Sequence, residues 1–289
     1  VVVAVTKLGN TLVLDMYTGK PIFDYEMKRA PVSKLAGEKT CIYQPSLKLP
    51  EPFARNVFKK EDITNLSKAS KDYILSIVKN SNYGFFEPYE TNKDTIKYGD
   101  SGGEQWTGAS IDPYENIMYV TANNIPFKAG IRSYNNNKKE RIKYTDKIPE
   151  PLRDLEGYPG VKPPWGTITA INLNTGKIIW QVPLGYYESL KAKGIITGTE
   201  NYGGATATLG GLVFAAGTLD KLIRAFDSKT GEEVWSYKLP YIGSAPPTSY
   251  EIDGEQYIVI PSSGGISLKM YYEDLVEQGD AVVAFKIKD

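Results

Sequence analysis

The sequence predicts an all-β chain of repeated four-stranded sheets, the arrangement of a β-propeller, and three observations carry that prediction. First, Ile168-Thr-Ala-Ile-Asn172-Leu-Asn-Thr175-Gly176-Lys-Ile-Ile-Trp180 aligns without gaps on Ile223-Arg-Ala-Phe-Asp227-Ser-Lys-Thr230-Gly231-Glu-Glu-Val-Trp235. A third copy, Leu12 to Phe23, keeps the Asp15-x-x-Thr18-Gly19 turn and ends in Phe instead of Trp. Second, each copy reads as an apolar strand, a five-residue polar turn closed by a glycine, and a strand ending in a large aromatic, which is hairpin chemistry. Third, another hairpin precedes each of the last two copies, giving four strands per unit; sheets repeated in this way bury their faces against one another as blades.

Taken in order, the first unit opens with the apolar run Val1 to Val5, at what would be its second strand. An insertion spans about residues 26–97; within it Ser67 to Lys79 carries Ala69, Tyr73, Leu75, Ile77 and Val78 and reads as one amphipathic helix started by Thr64 or Ser67. The next unit begins with strands Ser110 to Asp112 and Ile117 to Thr121. It is interrupted by a second insertion, about residues 124–163, rich in Asn, Lys and Pro, which reads as loop. Ala205 to Leu209 with Leu212 to Ala216 open the third unit. Thr248 to Ile252, Gln256 to Ile260 and Ala281 to Phe285 form a last one without a fourth strand. Residues 1–289 thus read as one partial propeller domain, and insertions of this size on a rigid scaffold mark the face that binds something.

Composition excludes several functions. The 289 residues carry 34 basic and 34 acidic side chains and a pI near 6.6, so no basic footprint for nucleic acid exists. The longest apolar run is five residues, against the ~20 a membrane helix needs. Histidine is absent, which removes Ser-His-Asp and Cys-His nucleophiles and His-ligated zinc or haem. The single cysteine, Cys41, forms no internal disulfide and reads as a buried small apolar residue. The chain starts inside a strand-like run without a methionine, and no signal peptide is legible, so the sequence is expected to be the C-terminal part of something longer.

Some motifs are weighed and set aside. Gly99-Asp100-Ser101-Gly102-Gly103 spells the nucleophile loop of trypsin-like proteases, but no histidine exists to take the serine proton, so it reads as a Gly-rich turn. Ser76 and Lys79 have a nucleophile-plus-base spacing and fall on a solvated helical face. Phe23, Trp180 and Trp235 sit at equivalent repeat positions and are assigned to the core between blades. Trp106 differs: it opens a strand directly after Gly102-Gly103-Glu104-Gln105, where it either packs or lines the central channel next to a flat ligand.

Together these stretches resemble the pyrroloquinoline-quinone (PQQ)-dependent dehydrogenases with eight-bladed propellers, most closely their membrane-type glucose dehydrogenase branch. The matching segments are Ala4 to Asp15, Gly103-Glu-Gln-Trp106-Thr-Gly-Ala-Ser-Ile-Asp112-Pro113, Pro163 to Gly176, Gly203-Gly204 through Trp235, and Tyr250 to Tyr257, which cover nearly the whole chain. The resemblance implies about four of eight blades and a set of site residues. Lys7 falls where the family places a cation that reaches the ortho-quinone oxygens, a catalytic and cofactor-binding role, since a fixed ammonium stabilises the electron density those oxygens gain. Gln105 and Trp106 fall where the family has a polar residue and a Trp beside the cofactor, with Gln departing from the usual Asn or acidic residue. Tyr202 takes the place of a cofactor-proximal aromatic, and Gly264 and Gly265 would let backbone approach the planar ligand.

The metal ligands (for Ca or Mg), the catalytic aspartate and the tryptophan floor under the quinone are expected upstream of this chain; Asp100, Glu104 and Asp280 are taken as solvated. The implied protein oxidises a sugar or alcohol by hydride transfer to the quinone, hands electrons to a quinone or cytochrome acceptor, and is periplasmic. A non-catalytic propeller serving as a binding or assembly scaffold is the alternative. Because both ends would present open strand edges, the chain is expected to need the N-terminal half of the propeller, or a second copy of itself, to close an eight-bladed ring.

Overall fold

The computed structural model describes residues 1–100, 102–134, 143–272, 274 and 276–286. Ser101, in the protease-like loop, lies outside the described residues. The chain opens with the hairpin β1 (Val2–Val5) and β2 (Thr11–Leu14), whose Leu14 bridges to Pro21. The first insertion holds an exposed hairpin, β3 (Tyr25–Arg29) with β4 (Tyr43–Leu47), then helix α1 (Lys68–Lys79), then β5 (Asn82–Tyr83) paired in parallel with β6 (Thr95–Lys97). The first complete blade runs β7 (Ser110–Asp112) and β8 (Ile117–Asn123). Between β8 and the rest of that blade come β9 (Phe127–Tyr134) and β10 (Lys143–Pro151); β11 (Gly166–Asn172) and β12 (Lys177–Pro183) complete it. After the short helix α2 (Glu188–Lys191), the next blade is an uninterrupted meander of β13 (Ala205–Ala207), β14 (Leu212–Ala215), β15 (Leu222–Asp227) and β16 (Glu233–Lys238). The last sheet is β17 (Thr248–Ile252), β18 (Glu255–Ser262) and β19 (Ala281–Lys286), with helix α3 (Ile266–Tyr271) between its second and third strands.

The repeat folds as one device three times. Asp15, Asn172 and Asp227 each use a single side-chain oxygen to accept from two backbone N–H groups and a threonine hydroxyl of the turn. Gly19, Gly176 and Gly231 then take φ of +68°, +70° and +73°, which only glycine adopts without cost. The terminal aromatic of one unit rests on the turn glycine of the next: Phe23 against Gly176, and Trp180 against Gly231, with the Trp180 indole N–H donating to the Ser228 carbonyl at 2.9 Å.

The core lies between successive sheets. Val3 and Val5 of β1 pack with Met118 and Val120 of β8. Ile168 and Trp180 of the next interface pack with Val213 and Phe226, and Ile223 and Ala225 with Ile258 and Ile260. The fold is therefore all-β, a partial propeller of four-stranded blades.

Several expectations are corrected. The described residues of the segment 124–163 are not all loop: β9 and β10 join β6 and β5 in a four-stranded sheet, because Phe127 turns inward and closes a core with Ile74 and Val78 of α1 and with Trp165; residues 135–142 lie outside the described residues. The two insertions thus build one additional sheet. Helix α1 starts at the Ser67 cap as expected, but its buried face is Ser70, Ile74 and Val78; Ala69, Tyr73 and Leu75 point to solvent. The 70–74–78 spacing follows the helical i, i+4 stripe, which the apolar count alone obscured. Ser76 and Lys79 are exposed, and the Ser76 hydroxyl donates to the Tyr73 carbonyl. Cys41 is exposed, since it stands just before β4 in a hairpin with little core beneath it. Trp180 is buried as assigned, whereas Trp235 stays 38% exposed, with the rings of Phe214, Tyr237 and Phe285 against it.

Candidate functional site

Topology decides which loops meet. In an antiparallel four-strand meander the turn between strands two and three lies at the same end as the connection into strand one, and the turn between strands three and four lies at the opposite end. The glycine turns at 15–19, 172–176 and 227–231 are of the last kind. The β1–β2 turn, the 98–109 connection into β7, the 184–204 connection into β13, the 239–247 connection into β17 and the β18–β19 connection share the other end. The second insertion, between β8 and β11, emerges there too.

At that end a cavity of about 370 Å³ is lined by Lys7, Asp100, Gln105, Trp106, Thr107, Tyr202, Ser244, Gly265, Met270 and Tyr271. Five of the six residues singled out from the sequence therefore meet around one space. Lys7 sits in the β1–β2 turn, and its Nζ donates to the Asp100 carbonyl at 3.0 Å. The loop around it is fixed by backbone contacts: Gly103 exchanges hydrogen bonds with Asn123 of β8, both 3.1 Å, and takes φ of +60°. A Cβ on Gly103 would overlap the Lys7 carbonyl, so only glycine lets the two loops close to this distance. Asn123 in turn pairs with Asn201, next to Tyr202. Gly204 packs on Thr107, drawing the two connections together.

Trp106 is 95% exposed while Gln105 beside it is 4% exposed, so the pair turns one large aromatic face outward at the cavity and buries the amide. Tyr202 is half-buried, near Ile242 and Leu268. Gly265 lines the cavity, and its backbone has room for a side chain. Gly264 does not line it; its open side faces the Glu277 carbonyl, so the positive φ of +77° serves packing within the chain.

Sequence reasoning missed Thr107, Ser244, Met270 and Tyr271, which no repeat or motif marks, and it misread two carboxylates. Asp280 is exposed as expected. Asp100 is only partly exposed; one oxygen lies 3.5 Å from the Lys97 ammonium and the other is buried without a hydrogen-bond partner. Glu104 is 7% exposed, its Oε1 has no partner, and its backbone N–H donates to the Thr6 carbonyl at 3.4 Å. Burial pushes its carboxyl up to about 7, against the opposing pull of the Gly108 N–H and the Lys7 ammonium. The signal was local: Glu104 lies between a glycine pair and a buried amide, where a solvated chain is unexpected.

A larger hollow of about 570 Å³ adjoins this site across Lys97, between the β3–β4 hairpin and residues 84–89, with Phe85, Phe86 and Cys41 on its walls. Among the described residues, no group of three His, Cys, Asp or Glu side chains is placed to hold a metal ion, so no metal step is derived for this chain.

The chain is 31% identical to the glycerol dehydrogenase large subunit of Gluconobacter thailandicus over 90% of its own length and 40% of that protein's. It is 26% identical to quinoprotein glucose dehydrogenase A of Acinetobacter calcoaceticus over 98% of its length and 38% of that protein's. It thus spans about two fifths of the length of these relatives. Among solved structures, a europium-containing methanol dehydrogenase superposes with a TM-score of 0.59 at 18% identity, covering 99% of this chain and 45% of the other, a likeness of fold. The sequence model described as glucose/ethanol/alcohol dehydrogenase, beta-propeller domain, matches residues 1–258, and the chain belongs to this PQQ family of propeller dehydrogenases.

Proposed function

We propose that this chain supplies one side of the cofactor pocket in a quinoprotein that oxidises a sugar or another alcohol, with pyrroloquinoline quinone in the cavity beside Lys7. The observation that carries this reading is the convergence of an ammonium, a buried amide and an almost fully exposed indole on one space of about 370 Å³, within the range of small-molecule sites. A planar anionic group fits these residues. When bound, the quinone accepts the hydride equivalent removed from a hydroxyl-bearing carbon.

The chain's own residues do the rest. Lys7, held by the Asp100 carbonyl, keeps a fixed positive charge where electron density increases during reduction, and pre-placed charge lowers the barrier without reorganisation. Trp106 offers a ring face for stacking, Gln105 a polar edge, and Tyr202 a second aromatic wall. The adjoining 570 Å³ hollow, formed by the first insertion, is the approach assigned to substrate. Its walls come mainly from that insertion, with Leu8 and Asn10 of the β1–β2 turn beside them, which suits a region that sets substrate choice.

In the same reading the chain is the C-terminal portion of an eight-bladed ring in the periplasm, closed by an N-terminal half or a second copy. Calcium or magnesium ligands and the proton-accepting carboxylate come from elsewhere in the protein, and electrons pass to a quinone or cytochrome. The test is dye-linked oxidation by the intact protein carrying this chain. Lys7→Ala is expected to lower turnover by about 10²-fold or more. Unchanged turnover removes Lys7 from the role, and a protein that binds no quinone is the scaffold alternative instead.

A further inference from the structure

Glu104 is a buried carboxyl that the proposed reaction does not use. It stands beside the Lys7 turn: Gly103 packs on the Lys7 carbonyl, the Asp100 carbonyl takes the Lys7 Nζ, and Glu104 itself donates its N–H to the Thr6 carbonyl. Its side chain is 7% exposed with Oε1 unpartnered, and its neighbour Gln105 lines the cavity. The charge acting on it is Lys7, from the β1–β2 turn. On its own loop, Asp100 is engaged with Lys97 of β6. Asn123, which holds the loop on β8, is neutral. A buried carboxyl with an unpartnered oxygen thus sits in the backbone segment packed on the Lys7 turn, while Lys7 itself lines the cavity.

We propose that Glu104 is the proton-linked counterion of Lys7: it balances the ammonium before a ligand binds, and takes up one proton from solvent when a planar polyanion occupies the cavity. It acts through Lys7, as a positioning residue. The physical reason is competition for one cation. A polyanionic ligand beside Lys7 adds negative charge near a carboxyl already poor in hydrogen bonds and largely removed from water, and a like charge favours its neutral form. Protonated, Glu104 leaves the whole Lys7 charge to the ligand. The carboxyl titrates at about 7 without ligand, so the exchange operates in the neutral range.

The inference rests on the reading that the quinone binds beside Lys7, and the experiment separates the two. PQQ is titrated into the intact protein carrying this chain, wild type and Glu104→Gln, between pH 6 and 9. Calorimetry in two buffers of different ionisation enthalpy counts the protons. Binding that favours the protonated form must weaken as pH rises past the free carboxyl's value, by up to about tenfold per pH unit. The wild type is expected to take up close to one proton at pH 8 and to lose affinity above pH 7. Glu104→Gln is expected to take up none at this site and to bind at pH 8.5 as the wild type does at pH 6. Tight binding with the same pH profile in both proteins overturns the role of Glu104 and leaves the quinone site standing. Absence of binding in both overturns the quinone site and the linkage with it. Should the variant fail to fold, the wild-type proton count decides, since zero uptake between pH 6 and 9 refutes the proposal.

Discussion

The buried carboxyl of Glu104 makes a prediction about the protein without ligand. Its ordinary value in an unfolded chain is 4.5 and burial raises it to about 7 in the fold. Below pH 4.5 both states hold the proton and the group contributes no difference. Between pH 4.5 and 7 the unfolded chain releases the proton while the fold retains it, so stability falls as pH rises, and above pH 7 the loss is complete. At about 1.4 kcal/mol per pH unit, the whole effect is on the order of 3 to 4 kcal/mol, with Lys7 and the Gly108 N–H already counted in the value. Glu104→Gln keeps the shape and removes the charge. Chemical denaturation of the intact protein at pH 4.5, 6 and 8 should give nearly equal stabilities for the two proteins at the lowest pH and an advantage of about 3 to 4 kcal/mol for the variant at pH 8. Taking the difference between the two proteins cancels every other titrating group. Parallel stability curves across this range would refute the claim that this carboxyl is buried with its charge poorly compensated.

Other outcomes follow from the packing. Trp106→Ala should leave the melting temperature almost unchanged, because the indole is 95% exposed, while weakening PQQ binding by about tenfold through lost stacking; a large fall in melting temperature would mean the ring is a core element after all. Gly231→Ala should cost about 1 to 3 kcal/mol in a denaturation measurement, since the residue holds φ of +73° and a Cβ would stand 2.7 Å from the Trp180 ring. A neutral result there would break the assignment of the Trp180–Gly231 contact as a lock between blades.

The architecture was legible because the repeat writes the same physics three times. An oxygen acceptor at 15, 172 and 227, a threonine three residues on and a glycine after it specify one turn, and two copies with an intact preceding hairpin fix the four-strand unit. The sheet built by the insertions was not legible, because it has no repeat to announce it. β5 pairs in parallel with β6 over two residues, and β9 meets β6 across 29 residues of intervening chain, so pairing is decided by burial of Ile96 and Phe127 and not by local turn chemistry. Cys41 failed for a related reason: small apolar residues are buried only when an element provides a core beneath them, and the β3–β4 hairpin does not.

The positions around the cavity divide in the same way. Glycines and an exposed indole are readable because their requirements are local: Gly103 needs a positive φ and an absent Cβ, and Trp106 follows a glycine pair, although it stands in the turn before β7 and not in a strand as expected. A carboxyl's state depends instead on what folds over it. Glu104 and Asp280 are both acidic residues near glycines, yet Asp280 faces water while Glu104 lies under the joined loops of two blades, with one ammonium within reach. The repeat brings those loops to one end, and Gly103 lets them close. Burial of the acid is thus a consequence of the same close approach that holds the Lys7 turn, so the ammonium that lines the cavity and the buried carboxyl are positioned by a single backbone contact.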